Sequence, residues 1–234
     1  MTSQRSSDRI LEYRIQSTDV KIRLNKKIYM PSAASISLAR NLRKVEGARV
    51  LDLGTGSGFL AILASKLGAR EVVATDISER ALRDARKNAI LNMVENIDFR
   101  LGSLYEPVKG EHFDLIVCNP PMTPSKIQLQ RYTWGGADGR IVLDKVISEA
   151  PEHLREGGRL LIPVISLVGV GRTFRLMREV GLKPRAIDYV VHPFGKTLRK
   201  LLGYLSGLPD AEYVYDEFGR PCWRLIVFEA VKGG

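Results

Sequence analysis

Short apolar runs alternate with longer amphipathic stretches along most of the chain. Each apolar run is typical of a buried parallel strand, and each amphipathic stretch has the spacing of a helix with one inward face. Strands that alternate with helices form a parallel sheet with right-handed crossovers and helices on both faces. The predicted strands are Arg49–Leu53, Glu71–Asp76, Ile97–Leu101, Phe113–Cys118, Arg159–Ile165 and Ala186–Val191, before a hairpin that pairs 212–216 with 223–230.

The closing hairpin makes the last strand antiparallel. The sequence therefore predicts an α/β fold, doubly wound, with a mostly parallel seven-stranded sheet whose last strand is antiparallel. Residues 1–30 are predicted to form a basic N-terminal arm in front of a single domain of residues 31–234. A basic insertion at about 193–210 precedes the hairpin.

A turn with glycine at every second position follows the strand Arg49–Leu53. Its glycines are Gly54, Gly56 and Gly58. Glycine is needed where the backbone takes a positive φ or where a ligand contacts the main chain, and a helix N-terminus behind the turn offers N–H groups. The dinucleotide motif has glycine at the first, third and sixth places, whereas here the third glycine is at the fifth. The turn predicts a small polar cofactor other than a dinucleotide, the alternative being a tight turn without a ligand.

The segment Asp52-Leu53-Gly54-Thr55-Gly56-Ser57-Gly58 resembles the cofactor motif of class I methyltransferases. The resemblance implies a Rossmann-like fold and S-adenosylmethionine, whose cationic amino group suits Asp52. Asp76 ends the next strand about twenty residues later, where a carboxylate can accept two hydrogen bonds from a ribose diol. Its alternative role is to interact with the dipole of the helix capped by Ser78. The predicted cofactor contacts are Asp52, Gly54, Thr55, Gly56, Gly58, Asp76, Ile77, Ser103, Leu104 and Asn119.

The fourth strand stops on Asn119-Pro120-Pro121-Met122, which resembles the Asn-Pro-Pro-Tyr motif of methyltransferases that act on planar nitrogens. These include HemK-like enzymes, which methylate glutamine amides, and enzymes that methylate exocyclic amines of bases. A conjugated NH₂ is a poor nucleophile, so the site must hold both N–H bonds; the Asn119 side-chain carbonyl and the Pro120 carbonyl can accept them. The prolines hold the turn rigid. The predicted catalytic residues are Asn119, Pro120, Pro121 and Met122, the alternative being a plain strand terminator.

A second motif, Trp134-Gly135-Gly136-Ala137-Asp138-Gly139-Arg140, is similar to a segment of archaeal and eukaryotic HemK-like release-factor methyltransferases. The family's opening Tyr-Glu-Pro-x-Glu-Asp-Ser is only partly matched by residues 29–35, which lack all three acids. Met122 also replaces the usual aromatic residue. Trp134 is predicted to line the substrate pocket or, alternatively, to anchor its loop on the core.

The positive charge is concentrated in two segments. Residues 1–30 hold seven Arg or Lys against three Asp or Glu, residues 172–200 hold eight against two, and the remainder balances. A localised basic surface is expected of a nucleic-acid partner, although solvated basic tails also occur. The candidate phosphate contacts in these segments are Lys21, Arg23, Lys26, Lys27, Arg172, Arg175, Lys196, Arg199 and Lys200. Of these, Lys26, Lys27, Arg199 and Lys200 are the predicted substrate contacts.

We therefore predict an N-methyltransferase. The two basic segments, the missing acids and Met122 favour the exocyclic amine of an RNA base, in ribosomal or transfer RNA, as its target. The alternative is a HemK-like glutamine methyltransferase acting on a translation release factor, and a non-catalytic binder is disfavoured by the intact motifs. The two cysteines lie in apolar runs, so no disulfide or metal site is expected. No membrane span or secretion signal is expected, which favours the cytoplasm. The few Asn and Gln residues favour a thermophilic source.

Overall fold

A computed structural model describes residues 9–24 and 30–233. The chain divides into two compact units, Met1–Lys109 and Gly110–Gly234. The predicted Lys26 and Lys27 lie outside the described residues.

The first unit contains a parallel three-stranded part of the sheet and an antiparallel hairpin. Its elements are β1 (Arg9–Ile15), β2 (Thr18–Leu24), α1 (Ala33–Asn41), β3 (Arg49–Leu53), α2 (Phe59–Lys66), β4 (Glu71–Asp76), α3 (Glu79–Leu91) and β5 (Ile97–Leu101). Strand β4 pairs in parallel with β3 on one side and β5 on the other. Strands β3 and β4 are buried in their central positions because α2 and α3 pack on them, whereas β5 is partly exposed along its length.

The hairpin of β1 and β2 packs on helices α2 and α3. Val20 and Ile22 are fully buried, which the alternation of apolar and basic residues in this strand explains. Two side-chain amides, one in α3 and one directly after it, hold the strand by its backbone: Asn88 Oδ1 accepts from Arg23 N at 2.9 Å, and Asn92 Oδ1 accepts from Lys21 N at 2.9 Å. These side-chain amides therefore satisfy backbone N–H groups on the free edge of β2, as a neighbouring strand would.

The second unit contains the remaining strands, with antiparallel pairing at its C-terminal end. Its elements are β6 (Phe113–Cys118), α4 (Ile141–His153), β7 (Leu154–Ile165), α5 (Val170–Glu179), β8 (Leu182–Pro193), α6 (Lys196–Lys200), α7 (Leu202–Leu205), β9 (Val214–Tyr215) and β10 (Pro221–Lys232). Strand β7 pairs in parallel with β6, and β10 lies between β7 and β8, antiparallel to both. The predicted α/β fold with a mostly parallel central sheet and antiparallel C-terminal strands is confirmed.

The predicted closing hairpin is wrong in its pairing. Strand β9 pairs only with Pro221 and Cys222, whereas residues 223–230 pair with β7 and β8. The centre of β10 is buried, as expected of a strand with a neighbour on each edge. The turn before β10 is closed locally, because the Asp216 carboxylate accepts from the backbone N–H groups of Phe218 and Arg220.

Candidate functional site

The glycine turn between β3 and α2 uses its three glycines for two different reasons. Gly54, Gly56 and Gly58 have φ of 78°, 57° and 82°, a region that favours glycine. A Cβ added at Gly54 or Gly56 would meet no atom within 4 Å, so the space beside these residues is open. A Cβ at Gly58 would lie 3.1 Å from the Cβ of Ala85 on α3. The first two glycines leave room for a ligand, and Gly58 allows the two helices to pack closely.

Asp52 lies at the end of β3 and is almost completely buried. Its Oδ2 accepts from Thr55 Oγ1 at 2.7 Å and from Ala61 N at 3.0 Å. Burial raises the pKa of Asp52 to about 7, the two hydrogen bonds oppose this rise, and the charge of Asp76 adds to it. The carboxyl group therefore joins the glycine turn to the first turn of α2, and burial favours its protonated form.

Asp76 closes β4 and caps two backbone segments at once. Its Oδ2 accepts from Gly56 N at 2.9 Å, and its Oδ1 accepts from Ser78 N at 2.9 Å. Each carboxylate oxygen has a second lone pair, so these bonds leave acceptor capacity for a diol. The neighbouring Ile77 is 49% exposed, an apolar side chain beside a polar one.

The end of β5 is joined to the same region through main-chain contacts. Gly102 N donates to Asp76 O at 3.1 Å, so Ser103 follows directly after a residue bound to β4. Leu104 has a φ of 47°, a left-handed conformation that is strained for a leucine. Ser103 N donates to Glu106 Oε2 at 3.1 Å. The first unit thus brings the predicted contacts from β3, β4 and β5 to the carboxyl ends of parallel strands.

In the second unit, Asn119-Pro120-Pro121-Met122 follows β6. Asn119 and Pro121 are half-buried, and Pro120 and Met122 are buried. The backbone of the next residue is held on both sides, since Thr123 N donates to Thr133 O at 2.7 Å and Thr123 O accepts from Gly135 N at 3.1 Å. The motif is therefore followed by a braced loop.

The Trp-Gly-Gly segment braces this loop and has no room for larger residues. A Cβ at Gly135 would lie 2.5 Å from Gly139 O. A Cβ at Gly139 would collide with Met122 O and would lie 2.5 Å from Val168 Cγ1. Trp134 is half-buried, and its Nε1 donates to Ser125 O at 2.8 Å. This bond supports the anchoring role of Trp134 that the sequence left open beside the pocket role.

Arg140 is a structural residue to which the sequence assigned no role. It is only 2% exposed, and its guanidinium donates to Thr173 Oγ1 at 2.9 Å, to the carboxylate of Asp144, and to the carbonyls of Val168 and Gly169. A buried Arg needs such a full set of partners. An Arg directly before an apolar helix was the signal that could have revealed it.

The predicted basic surface is only partly described. Arg199 and Lys200 are exposed on α6, and Arg199 Nε donates to Phe194 O at 2.8 Å. Arg172, at the start of the second basic segment, lies within 3.3, 3.6 and 3.4 Å of Asp138, Asp144 and Asp210. Part of the positive charge is thus neutralised within the protein.

The residues that the structure describes include no candidate membrane span and no candidate metal site. None of their helices is long and apolar enough to cross a membrane. No group of three or more His, Cys, Asp or Glu residues within ranges 9–24 and 30–233 could hold a metal ion.

Comparison with known proteins identifies the family to which this chain is related. Residues 31–181 match the family described as Methyltransferase small domain. A Methanocaldococcus jannaschii protein, provisionally named protein N5-glutamine methyltransferase, is 37% identical over 186 residues, which are 77% of this chain and 93% of that protein. The release factor glutamine methyltransferase of Xylella fastidiosa is 39% identical over 125 residues, 49% of this chain and 46% of that enzyme. Several other relatives are likewise longer than the part that matches.

Proteins of known structure have a similar fold. A T. thermophilus 16S rRNA N2 guanine methyltransferase, solved in complex with AdoMet and guanosine, has a TM-score of 0.61 at 18% identity. The match covers 97% of this chain and 50% of that one. At this identity the likeness concerns the fold alone.

Proposed function

Because the chain belongs to the methyltransferase small domain family and is an S-adenosylmethionine-dependent N-methyltransferase, we propose that it methylates the side-chain amide of a glutamine in a protein, with a translation release factor as the substrate. Two relatives are named for this reaction, and one of them matches over 93% of its length. The observation that carries the proposal is the rigid Asn119-Pro120-Pro121 turn, which is suited to a planar amide.

The relatives favour this reaction over the RNA target that the charge distribution predicted. Their names refer to glutamine in a protein, and the RNA-methylating neighbour is similar only in fold. The ion pairs of Arg172 also reduce the number of cations that face solvent. A release factor works beside RNA, so a basic enzyme is compatible with a protein substrate. We place the enzyme in the cytoplasm, where translation takes place.

The first unit has the groups that S-adenosylmethionine requires. We assign the ribose hydroxyls to Asp76, the adenine to the exposed Ile77 and the segment at Ser103 and Leu104, and the amino-acid end to the glycine turn and Asp52. The open space beside Gly54 and Gly56 allows close approach to the main chain. When bound, the cofactor supplies an electrophilic methyl group on a sulfonium.

The second unit has the acceptors that the target nitrogen requires. We assign the two amide N–H bonds of the substrate to the Asn119 side-chain carbonyl and the Pro120 carbonyl. Both hydrogens are then held in the amide plane, and the nitrogen lone pair is directed out of it. Orientation of this kind contributes as much as about 7–11 kcal/mol when the geometry is good. Buried Met122 is assigned a packing contact beneath the turn.

The test is to incubate the enzyme with methyl-labelled cofactor and a purified peptide-chain release factor from the source organism. Label on a glutamine after ribonuclease treatment is the expected result. Asn119→Ala should reduce turnover at least about a hundredfold while cofactor affinity stays within several-fold, because the lost acceptor acts mainly in the transition state. Gln128→Ala, which removes an exposed amide from the same unit, is the matched control. Label in the RNA fraction alone would refute the proposal.

A further inference from the structure

A cavity of about 320 Å³ lies in the second unit, between the loop after Met122 and helix α6. Its walls include Ser125, Ile127 and Leu129 from the loop and Lys196, Lys200 and Leu201 from the helix segment. The volume is at the lower end of ligand pockets and suits one or two side chains. None of these residues belongs to the predicted cofactor or catalytic groups, and Lys196 and Lys200 are the two that were candidate contacts for RNA phosphates.

The charge around this cavity has one sign. The loop 125–131 and the segment 195–206 together contain five Lys or Arg and no Asp or Glu. Lys196 and Lys200 are exposed, and neither forms an ion pair or side-chain hydrogen bond with the residues that the structure describes. Lys126 lies with its ammonium 5.6 Å from the centre of the Tyr204 ring. The surface therefore favours a partner with carboxylates.

The loop wall of the cavity is apolar. Ile127 is 76% exposed, so its aliphatic side chain is available for contact with a partner. Leu129 and Leu201 are half-buried. Phosphates would be bound by the lysines without any use for this apolar wall, whereas a protein segment with an aliphatic or aromatic side chain uses both.

The cavity is connected to the Asn119-Pro120-Pro121-Met122 turn through two hydrogen bonds and a close packing contact. Ser125 N donates to Gly136 O at 2.9 Å, and Tyr204 Oη donates to Ala137 O at 2.7 Å. The same Trp-Gly-Gly segment packs against Met122 through Gly139. The loop and the helical segment are thus both fixed to the backbone that braces the motif.

We propose that this cavity binds the substrate protein at a point away from the methylated glutamine, in a segment where an apolar side chain is flanked by Asp or Glu. The inference rests on the proposed protein substrate. The apolar side chain enters between Ile127 and Leu201, and the carboxylates pair with Lys196 and Lys200. The site would then select the protein, while Asn119 and Pro120 act on the amide.

The test compares steady-state methylation of the release factor by the full-length chain and by Lys196→Glu/Lys200→Glu. We expect KM for the release factor to rise about tenfold, because two attractive charges become repulsive, with kcat and cofactor affinity unchanged. Lys145→Glu/Lys183→Glu is the matched control, since it changes net charge equally at two exposed lysines outside the cavity. Its KM should stay within about twofold, as expected of rim charges.

A second variant tests the apolar wall. Ile127→Ser should raise KM for the release factor several-fold, and it should leave KM unchanged for a short peptide of about ten residues around the methylated glutamine. Equal KM values for the cavity and control variants, with active wild-type enzyme, would overturn the docking proposal alone. Absence of glutamine methylation by the wild type, or label found only in RNA, would overturn both this proposal and the proposed function.

Discussion

Asp52 makes the stability of the first unit depend on pH in an unusual direction. Its pKa rises from an ordinary value of 3.8 to about 7 in the folded chain, chiefly because the carboxyl group is buried. Between these two values the folded chain keeps a proton that the unfolded chain has released. Stability from this group is therefore complete below pH 4 and is lost as pH rises toward 7.

The magnitude follows from the size of the shift. A shift of about three pKa units corresponds to about 4 kcal/mol at 1.36 kcal/mol per unit. Asp52→Asn removes the titration and keeps an oxygen that can accept from Thr55 Oγ1 and Ala61 N. The free energy of unfolding of wild type minus that of Asp52→Asn should therefore fall by about 4 kcal/mol between pH 4 and pH 7 and stay level above pH 8.

The assay is urea unfolding of both proteins at half-unit steps from pH 4 to pH 9. The difference between the two proteins cancels the titration of all other groups. A second measurement concerns the cofactor, since a cationic amino group near Asp52 favours the ionised carboxylate. Calorimetry in buffers of different ionisation enthalpy should show proton release on binding at pH 6.5 by wild type and none by Asp52→Asn. Parallel stability curves for the two proteins would refute the reasoning.

Three further substitutions test the site. Asp76→Ala should weaken cofactor binding about a hundredfold by calorimetry, since two charge-assisted hydrogen bonds are lost, whereas Asp98→Ala should not. Asn88→Ala should lower the free energy of unfolding by about 2–4 kcal/mol in urea, because Asn88 Nδ2 donates to the buried Ser57 O at 2.9 Å and Oδ1 holds β2; an unchanged midpoint would contradict this. Gly139→Ala should cost about 2–4 kcal/mol through collision and positive φ, against about 1 kcal/mol for Gly110→Ala, which has a similar φ and open space; equal costs would remove the collision argument.

Local pattern was sufficient for the centre of the fold. Strands β3, β4, β5 and β6 have the predicted bounds because their apolar patterns are local signals, and helix α3 begins directly after the predicted Ser78 cap. The same local reading fails where a strand depends on a distant partner. Strand β8 is longer than predicted because it pairs with the distant β10 from Leu182 to Pro193. Strand β7 begins earlier than predicted, at Leu154, which pairs with Phe113 of β6.

The predicted site residues divide in a similar way. Those of the glycine turn and Asp76 could be identified from spacing because consecutive strand ends meet at one edge of a parallel sheet. The contacts that hold the loop after Met122 could not be identified from the sequence. They involve Trp134, Arg140 and Tyr204, whose hydrogen-bond partners come near only when the chain is folded. Charge counted along the sequence also missed the three acids beside Arg172.

The loop after Met122 combines two kinds of position whose tolerance to mutation is opposite. At Gly135 and Gly139 an added Cβ meets backbone, so almost any replacement would disturb the backbone of this loop and of Met122. Between them and the turn, Lys126–Arg131 has side chains that are mostly exposed. With the proposed docking role of this loop, descendants of this enzyme could exchange one substrate for another by changing those surface residues while the methyl-transfer chemistry stays the same.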